Sequence, residues 1–560
     1  MKSYFEELIS FIKEEKPNKR ILNNKKIELC TKYKIKKIPT DIEVMCNSSP
    51  KDLEFLKQYL ITKPTRTISG VAVIAVMSSP HDCPHGRCIY CPGGKNSFFG
   101  DVPQSYTGNE PSTMRGIRNK YDAYRIVFNR LEQYIVLGQN PEKAEIIIMG
   151  GTFLSFPKKY KEEFITNIYK AMNDFSKEFY VDDKLNLLKF KVFFELPGKV
   201  DDKTREKNIR EKVLVLKKQN IKSLDEEKTI NEHSNIRCVG LTVETKPDWG
   251  LLKQGNEMLR YGVTRVELGV QTTYDEVLKK MNRGHTLKET IESIKTLKDL
   301  GFKINIHMMP GLPGVSRKDD LRSLKQIFSD EDYKPDMLKV YPTLVMPGTP
   351  LYELYKKGLY KPIDIDDAAK MIVEMKKIVP KYCRIMRIQR DIPTKFTKAG
   401  VNKTNFRQYV EQLQIEKNVS CNCIRCREIK NKVVKGEPKW EIIDYDASKG
   451  KEFFISLVDN NDYLLGFSRL RFPSQSLREE ITNNCAIIRE LHVYGTAQGL
   501  GEKGDVQHTG LGSKLLKKAE EIAKKHHKKK IVIISGVGVR DYYRKFSYEV
   551  EGPYMIKELQ

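Results

Sequence analysis

Between Met77 and Gly94 the chain reads MSSPHDCPHGRCIYCPGG, which sets Cys83, Cys88 and Cys91 in a C-x4-C-x2-C array directly after an apolar run. Cysteine thiolates are the usual ligands of iron–sulfur clusters. Three of them on one short loop can hold three irons of a [4Fe–4S] cubane and leave the fourth iron open. His81, Pro84, His85 and Gly86 favour irregular backbone over helix or strand. The same spacing fits a structural zinc site short of one ligand. Zinc arrays usually come as two C-x2-C pairs, however, and one pair is present here.

The apolar run before the loop is the first of a series. Strands are expected at Val71–Met77, Glu145–Met149, Cys238–Val243, Arg265–Val270, Lys303–Met308 and Met337–Val345, with helical patterns such as Ile117–Leu137 and Leu287–Leu300 between them. Runs such as EIIIMG are apolar on both faces, the mark of strands covered on both sides in a parallel sheet of βαβ units. Six such units predict an α/β fold with an open or partial (β/α)6 barrel. Sites in such folds gather at the C-terminal strand ends, where the cysteine loop falls. The other strand ends offer Gly150, Gly151 and Thr152, then Glu244 and Thr245, Gln271 and Thr272, His307 with its MPGLPG turn, and Tyr341. Glycines at such a place let a ligand approach the backbone, and the set reads as the rim of a polar cofactor pocket. The highly charged, poorly periodic stretch from about Asp174 to Asn235 reads as an insertion with little structure of its own.

The partner is suggested by charge. Lys and Arg number 99 against 73 Asp and Glu, a net +26. Lysines that merely clothe a thermostable surface would be balanced by acids, so the surplus points to a polyanion, most simply nucleic acid. Residues 13–40 are a basic run with interleaved Ile, Leu and Tyr, expected to form helices with a solvated basic face able to contact phosphates. The eleven cysteines are odd in number and clustered, which argues against a secreted disulfide framework and for metal work in a reducing cytoplasm. No run reaches the ~18 apolar residues of a membrane span.

Cys421, Cys423 and Cys426 form a second trio, C-x-C-x2-C amid basic residues, which reads as most of a zinc site, with Cys383 or, less well, Cys485 as the fourth ligand. From about Trp440 the texture changes to strands (FFISLVD, YLLGFSRLRF, CAIIRELHVYG, KIVIISGVG) around one helix, on which Leu511, Leu515, Leu516, Ala519, Ile522 and Ala523 share a face. Gln507-x-x-Gly510-x-Gly512 opens that helix, whose free amides and dipole suit a pyrophosphate.

These residues carry a resemblance. The Q-x-x-G-x-G turn with SGVGVRDYYRKFSYEVEGPYM resembles a GNAT acetyltransferase. The cysteine loop ahead of a (β/α)6 pattern resembles a radical S-adenosylmethionine enzyme, although that family's usual spacing is C-x3-C-x2-C. Together with CPGG, QSYTGNEPSTMRG, MGGTF, MNRGHT, HMMPGLPG, IQRDIP and RELHVYG, the chain resembles the archaeal form of the Elongator catalytic-subunit family. The resemblance implies a basic tRNA-binding region over 1–68, a radical S-adenosylmethionine barrel over 69–380 (with the insertion at about 174–235), a linker with a zinc site over 381–440 and a GNAT-like domain over 441–560. It implies an enzyme that builds a carboxymethyl group on C5 of the tRNA wobble uridine. Cys83, Cys88 and Cys91 would hold the cluster, S-adenosylmethionine would yield a radical that takes hydrogen from the acetyl-CoA methyl group, and water would release CoA. Lys143, Glu490, Leu491, His492, Val493, Leu511, Gly512, Ser513 and Tyr543 would contact acetyl-CoA, with Lys143 and Tyr543 closest to the chemistry and Gly150 and Gly151 at the cofactor. Arg115, Arg118, Lys120 and Arg125 cluster after the cysteine loop, which suits either contacts to tRNA phosphates or a plain solvated face. The GNAT half alone would support a different activity, protein lysine acetylation. Whether the chain works alone, as a homo-oligomer or with accessory subunits is left open at this stage.

Overall fold

The computed structural model describes residues 2–35, 38–60, 70–198, 202–430, 432–495 and 510–559. Its first sheet is built from Val71–Met77 (β1), Lys143–Met149 (β2), Arg237–Thr245 (β3), Arg265–Gln271 (β4), Lys303–Met308 (β5), Met337–Val340 (β6) and Arg384–Arg387 (β7). Neighbours pair in chain order and all in parallel. All six expected strands are present. The sixth stops at Val340, short of the expected Val345, because Pro342 lacks the donor a ladder needs. The seventh strand was not expected: RIMR is short and half charged, and it sits at the sheet edge. The partial barrel therefore has one strand more than anticipated.

Outward-pointing residues of the strands, among them Ile74, Val76, Ile146 and Ile148, join a core with Tyr124, Val127 and Phe128 of helix Ala123–Val136 and Ile165, Ile168 and Met172 of helix Lys158–Phe179. The expected helix Ile117–Leu137 is two helices, Pro111–Arg118 and Ala123–Val136. Lys120 and Tyr121 take left-handed φ values of 53° and 54° between them, and the Asp122 side chain caps the second by accepting from the Arg125 amide. The charged stretch after Asp174 also departs from expectation. Beyond the end of Lys158–Phe179 it holds helices Leu187–Phe193, Lys203–Lys218 and Leu224–His233. Phe175, Phe179, Phe190, Phe193 and Phe194 close around Phe128, with ring centroids 4.6 Å apart for Phe175–Phe179 and 4.7 Å for Phe190–Phe194. Its apolar signal is a few bunched aromatics, each of large burial, so periodicity misses it.

Ahead of the barrel, helices Lys2–Glu15, Lys19–Lys32, Asp41–Asn47 and Pro50–Leu60 enclose a small core of their own, including Tyr4, Leu8, Ile12, Leu22, Leu29, Val44 and Leu56.

The C-terminal sheet comprises Lys439–Ala447 (β8), Gly450–Val458 (β9), Leu464–Phe472 (β10), Cys485–Val493 (β11), Lys530–Ile533 (β12), Glu549–Glu551 (β13) and Tyr554–Glu558 (β14), in the order β8-β9-β10-β11-β12-β14-β13. Only β11 and β12 run parallel, and their pairing ends at Ile488↔Ile533 while β11 continues along β10 to Val493. Helix Leu511–Lys525 covers the sheet with Leu511, Leu515, Leu516, Ala519 and Ala523.

This sheet presses on the N-terminal ends of the barrel strands, the rim opposite the cysteine loop. Arg489 donates to both oxygens of Asp336, just before β6, at 2.7 Å each. Arg471 pairs with Asp299 at 2.6 Å and with Glu452 at 3.0 Å. On the β3 side the fit needs glycine: a Cβ on Gly536 would lie 2.3 Å from the Val239 carbonyl oxygen, and one on Gly538 would lie 2.4 Å from the Arg237 Cβ. Among the described residues no helix is long and apolar enough to cross a membrane.

Candidate active site

Strand β1 ends at Met77, and the chain turns inward so that Cys83, Cys88 and Cys91 face a cavity of about 320 Å³ at the C-terminal rim of the barrel. Cys88 and Cys91 are buried and Cys83 half-buried. Burial, reinforced by Cys91, pushes the Cys83 thiol up to about 11. Three thiols that all line one cavity can take three corners of a cubane and leave its fourth corner to the cavity.

The other strand ends meet here, except for Thr272, which is buried and does not line the cavity. Gly151, Thr152, Glu244, Thr245, Gln271, His307 and Tyr341 all line the cavity. Gly150 lies just behind it, with φ 128°, and a Cβ there would fall 2.2 Å from the Ser78 hydroxyl; one on Gly151 would fall 2.9 Å from Gln104 Cβ. The glycine pair lets the end of β2 pass between Ser78 and Gln104.

Several lining residues were not singled out from the sequence. Glu267 lies at the barrel axis, paired with Lys339 and hydrogen-bonded to His307 Nε2 at 3.0 Å. Burial alone would raise its pKa, but Lys339 and then His307 hold the carboxyl well below the usual range. Burial, with Lys339 beside it, pushes His307 down to about 4, so its ring is neutral. Tyr106 donates to Glu244 at 2.9 Å, and burial raises that carboxyl. Arg390 donates to the Ser105 carbonyl, tying the region after β7 to the stretch that follows the cysteines. Arg283 and Lys246 flank Cys88 and His85, and burial, then Lys246 and Arg283, push His85 down to about 3. The motif MNRGHT contained Arg283 and IQRDIP contained Arg390, but a lone arginine in a loop carries no periodicity to reveal its burial.

The opposite rim holds the second set. Gly510 takes φ 80° at the start of helix Leu511–Lys525, and among the described residues no side chain caps the amides that follow. Leu511, Gly512 and Ser513 thus offer the free donors of a helix N-terminus. Glu490 is buried against Arg469 at 2.8 Å and Lys303 at 3.9 Å. Leu491, His492 and Val493 lie on the part of β11 beyond its pairing with β12. Tyr543 is buried on helix Arg540–Arg544, and burial raises its hydroxyl above the usual value. Gln507 lies outside the described residues. Lys143 opens β2, paired with Val71 and Arg237. At 3.3 Å per residue this puts it about 20 Å from the cysteine rim, at the end nearer the C-terminal sheet and not beside the cysteines where the resemblance implied it.

Comparison with known proteins matches residues 77–327 to the radical SAM superfamily, 335–414 to the radical SAM C-terminal domain, 1–68 to the ELP3 N-terminal domain and 425–548 to the GNAT acetyltransferase family. A protein of Methanocaldococcus infernus named tRNA uridine(34) acetyltransferase is 42% identical over 93% of this chain and 92% of its own length. Elongator complex protein 3 of Saccharomyces cerevisiae is 38% identical over 94% and 90%. The chain belongs to the Elongator complex protein 3 family. The solved structure of the M. infernus Elp3 lacking its N-terminus matches the fold with a TM-score of 0.71 at 38% identity, covering 88% of this chain and all of that one.

The second cysteine trio of this Elongator protein 3 relative is also assembled. One sulfur from each of Cys421, Cys423 and Cys426 lies within 4.8 Å of the others, and Cys423 and Cys426 are 3.6 Å apart. Two sulfurs on one tetrahedral zinc, at bonds of about 2.3 Å, would sit about 3.8 Å apart. Neither Cys383 nor Cys485 joins the group.

Proposed function

We propose that this chain modifies the wobble uridine of tRNA, building a carboxymethyl group on C5 from acetyl-CoA. The observation that carries the reading is the joining, in one chain, of a three-thiol cavity at one barrel rim and a GNAT-type sheet clasped by buried ion pairs at the other. The names of the relatives, tRNA uridine(34) acetyltransferase and Elongator complex protein 3, support the same reading. A [4Fe–4S] cluster with S-adenosylmethionine, when bound, supplies the radical chemistry that an unactivated methyl C–H demands.

The chain's own residues supply the rest. Cys83, Cys88 and Cys91 hold the cluster, and Gly151 lines the same cavity, whereas Gly150, expected at the cofactor, packs behind it on Ser78. The amides of Leu511, Gly512 and Ser513 take the pyrophosphate of acetyl-CoA. The backbone of Glu490, Leu491, His492 and Val493 pairs with the pantetheine. Tyr543, protonated because its hydroxyl is buried, donates to the thioester oxygen or the leaving thiolate. Lys143 attracts the CoA moiety from the rim shared with the C-terminal sheet. Arg118, Lys120 and Arg125 contribute phosphate contacts with the N-terminal helices, and Cys421, Cys423 and Cys426 hold a structural zinc. The site of action is the cytoplasm.

Anaerobic protein loaded with iron and sulfide, incubated with S-adenosylmethionine, acetyl-CoA and tRNA, is expected to yield a carboxymethyluridine nucleoside on digestion. Cys88→Ser should abolish it. Acetylated protein lysines in both forms, with unmodified tRNA in both, would overturn the reading in favour of a lysine acetyltransferase.

A further inference from the structure

The three cluster cysteines are not equivalent. Among the described residues the Cys83 sulfur's hydrogen-bond contact is the Thr152 hydroxyl, at 3.8 Å. Cys91 accepts from the Ser105 amide at 3.2 Å and reaches the Gln104 side-chain oxygen at 3.1 Å. Cys88 sits between two side-chain N–H donors: His85 Nε2 lies 3.2 Å from its sulfur and Arg283 Nη1 3.5 Å.

Both donors are fixed from behind. The other terminal nitrogen of Arg283, Nη2, donates to the Gly269 carbonyl at 2.7 Å, and the side chain is buried. His85 receives Lys246 Nζ on Nδ1 at 3.0 Å, and Lys246 is anchored by Asp248 at 3.1 Å. A lysine ammonium can only donate, so Nδ1 accepts, and the ring proton resides on Nε2, pointing at sulfur. The place His85 occupies is made by Gly284 (φ 65°), where a Cβ would lie 2.3 Å from His85 Cβ. His85 itself falls within the C-x4-C interval, one residue longer than the spacing usual in the family this loop resembles.

We propose that Arg283 and the Lys246–His85 pair raise the reduction potential of the cluster by hydrogen bonding to the Cys88 sulfur. An added electron increases the negative charge on the sulfurs, so N–H donors stabilise the reduced cluster more than the oxidised one. Burial strengthens the effect because little solvent screens it. Arg283 and His85 act on the cluster through its ligand, and Lys246 acts one step further out by setting the His85 tautomer. All three are positioning residues.

The inference rests on the proposed cluster, and the experiment separates the two. The full chain is reconstituted anaerobically without S-adenosylmethionine, assayed for iron and sulfide, and titrated with reductant while the reduced-cluster EPR signal is followed. His85→Phe, Lys246→Met and Arg283→Gln are each expected to lower the midpoint potential at unchanged iron content. Lys246→Met should lower it much less in a His85→Phe background, because its effect runs through His85. Should Arg283→Gln fail to take up iron, the half-buried His85 still carries the test. A fully loaded His85→Phe protein with the parent's potential would overturn the inference. So would variants that lose S-adenosylmethionine affinity with no change in potential, which would make these residues cofactor contacts only. A parent chain that takes up no iron and sulfide would overturn the cluster reading as well.

Discussion

Arg489 on β11 and Asp336 ahead of β6 lie 153 residues apart in sequence and meet through two parallel 2.7 Å hydrogen bonds, with neither side chain exposed. Around them Arg469, Arg471, Lys298, Asp299 and Glu452 form a buried network that crosses from the C-terminal sheet to the barrel. Burying so many charges is costly unless each is paired. The network therefore specifies one docking geometry, since any other would strand several charges out of water.

Removing one partner should accordingly be severe. Asp336→Ala takes one buried partner from each of Arg489 and Arg469, leaving them Glu452 and Glu490, and is expected to cost about 3–5 kcal/mol in denaturant unfolding. Glu374→Ala, which breaks an exposed pair with Lys377, should cost no more than about 0.5 kcal/mol. Equal effects would show that the buried network contributes no more than a surface pair.

Asp320 offers a pH signature. Its carboxylate accepts from the Gly311 amide at 2.8 Å in the turn after β5, and burial pushes its pKa up to about 7. The unfolded value is about 3.9. The folded state therefore binds more protons between these values, so the contribution of Asp320 is fully present below about pH 4 and is lost as pH rises through 7. Asp320→Asn keeps an acceptor for Gly311 without the titration. The stability of the parent relative to this variant should fall by up to about 4 kcal/mol between pH 4 and 8. A flat difference across that range would refute the assignment.

The Cys421, Cys423 and Cys426 site predicts a metal-dependent melt. Purified protein should contain one zinc per chain, and a strong chelator should lower the melting temperature. Cys421→Ser should abolish both the zinc and the chelator effect. Cys485→Ser, in a buried strand residue outside the group, should leave the zinc in place.

The barrel was legible because its strands are apolar on two faces, a pattern few other arrangements produce. Its rim was legible for the same reason: once β1 to β6 are placed, their ends name Thr152, Glu244, Gln271, His307 and Tyr341. What stayed hidden was burial of charge. In GFSRLRF and AIIREL, period-two alternation puts Arg469, Arg471 and Arg489 where a half-buried sheet would show them to water. That face meets the barrel instead, and the acids that answer it lie far away in sequence, Asp299 at the end of helix Leu287–Asp299 and Asp336 in the turn before β6. The aromatic cluster around Phe128 escaped for a related reason, since two i,i+4 pairs, Phe175–Phe179 and Phe190–Phe194, are too short a run to stand out in a charged stretch.

The helix that begins at Leu511 allows fold and ligand to be tested apart. Gly510 has φ 80°, and among the described residues the nearest atom to an added Cβ is the Ser513 hydroxyl at 3.7 Å, an ordinary contact, so what alanine meets there is a disfavoured backbone. That penalty is about 1–2 kcal/mol, and the turn can escape it only by rotating the amides of Leu511, Gly512 and Ser513 away from a shared focus. If those amides hold the pyrophosphate, Gly510→Ala should weaken acetyl-CoA binding roughly 5- to 30-fold by calorimetry, the same 1–2 kcal/mol expressed as an affinity. Free pyrophosphate, tested as a competitor, should lose its hold in parallel. Unchanged acetyl-CoA affinity alongside a lowered melting temperature would show that the turn serves the fold alone and that the pyrophosphate is held elsewhere.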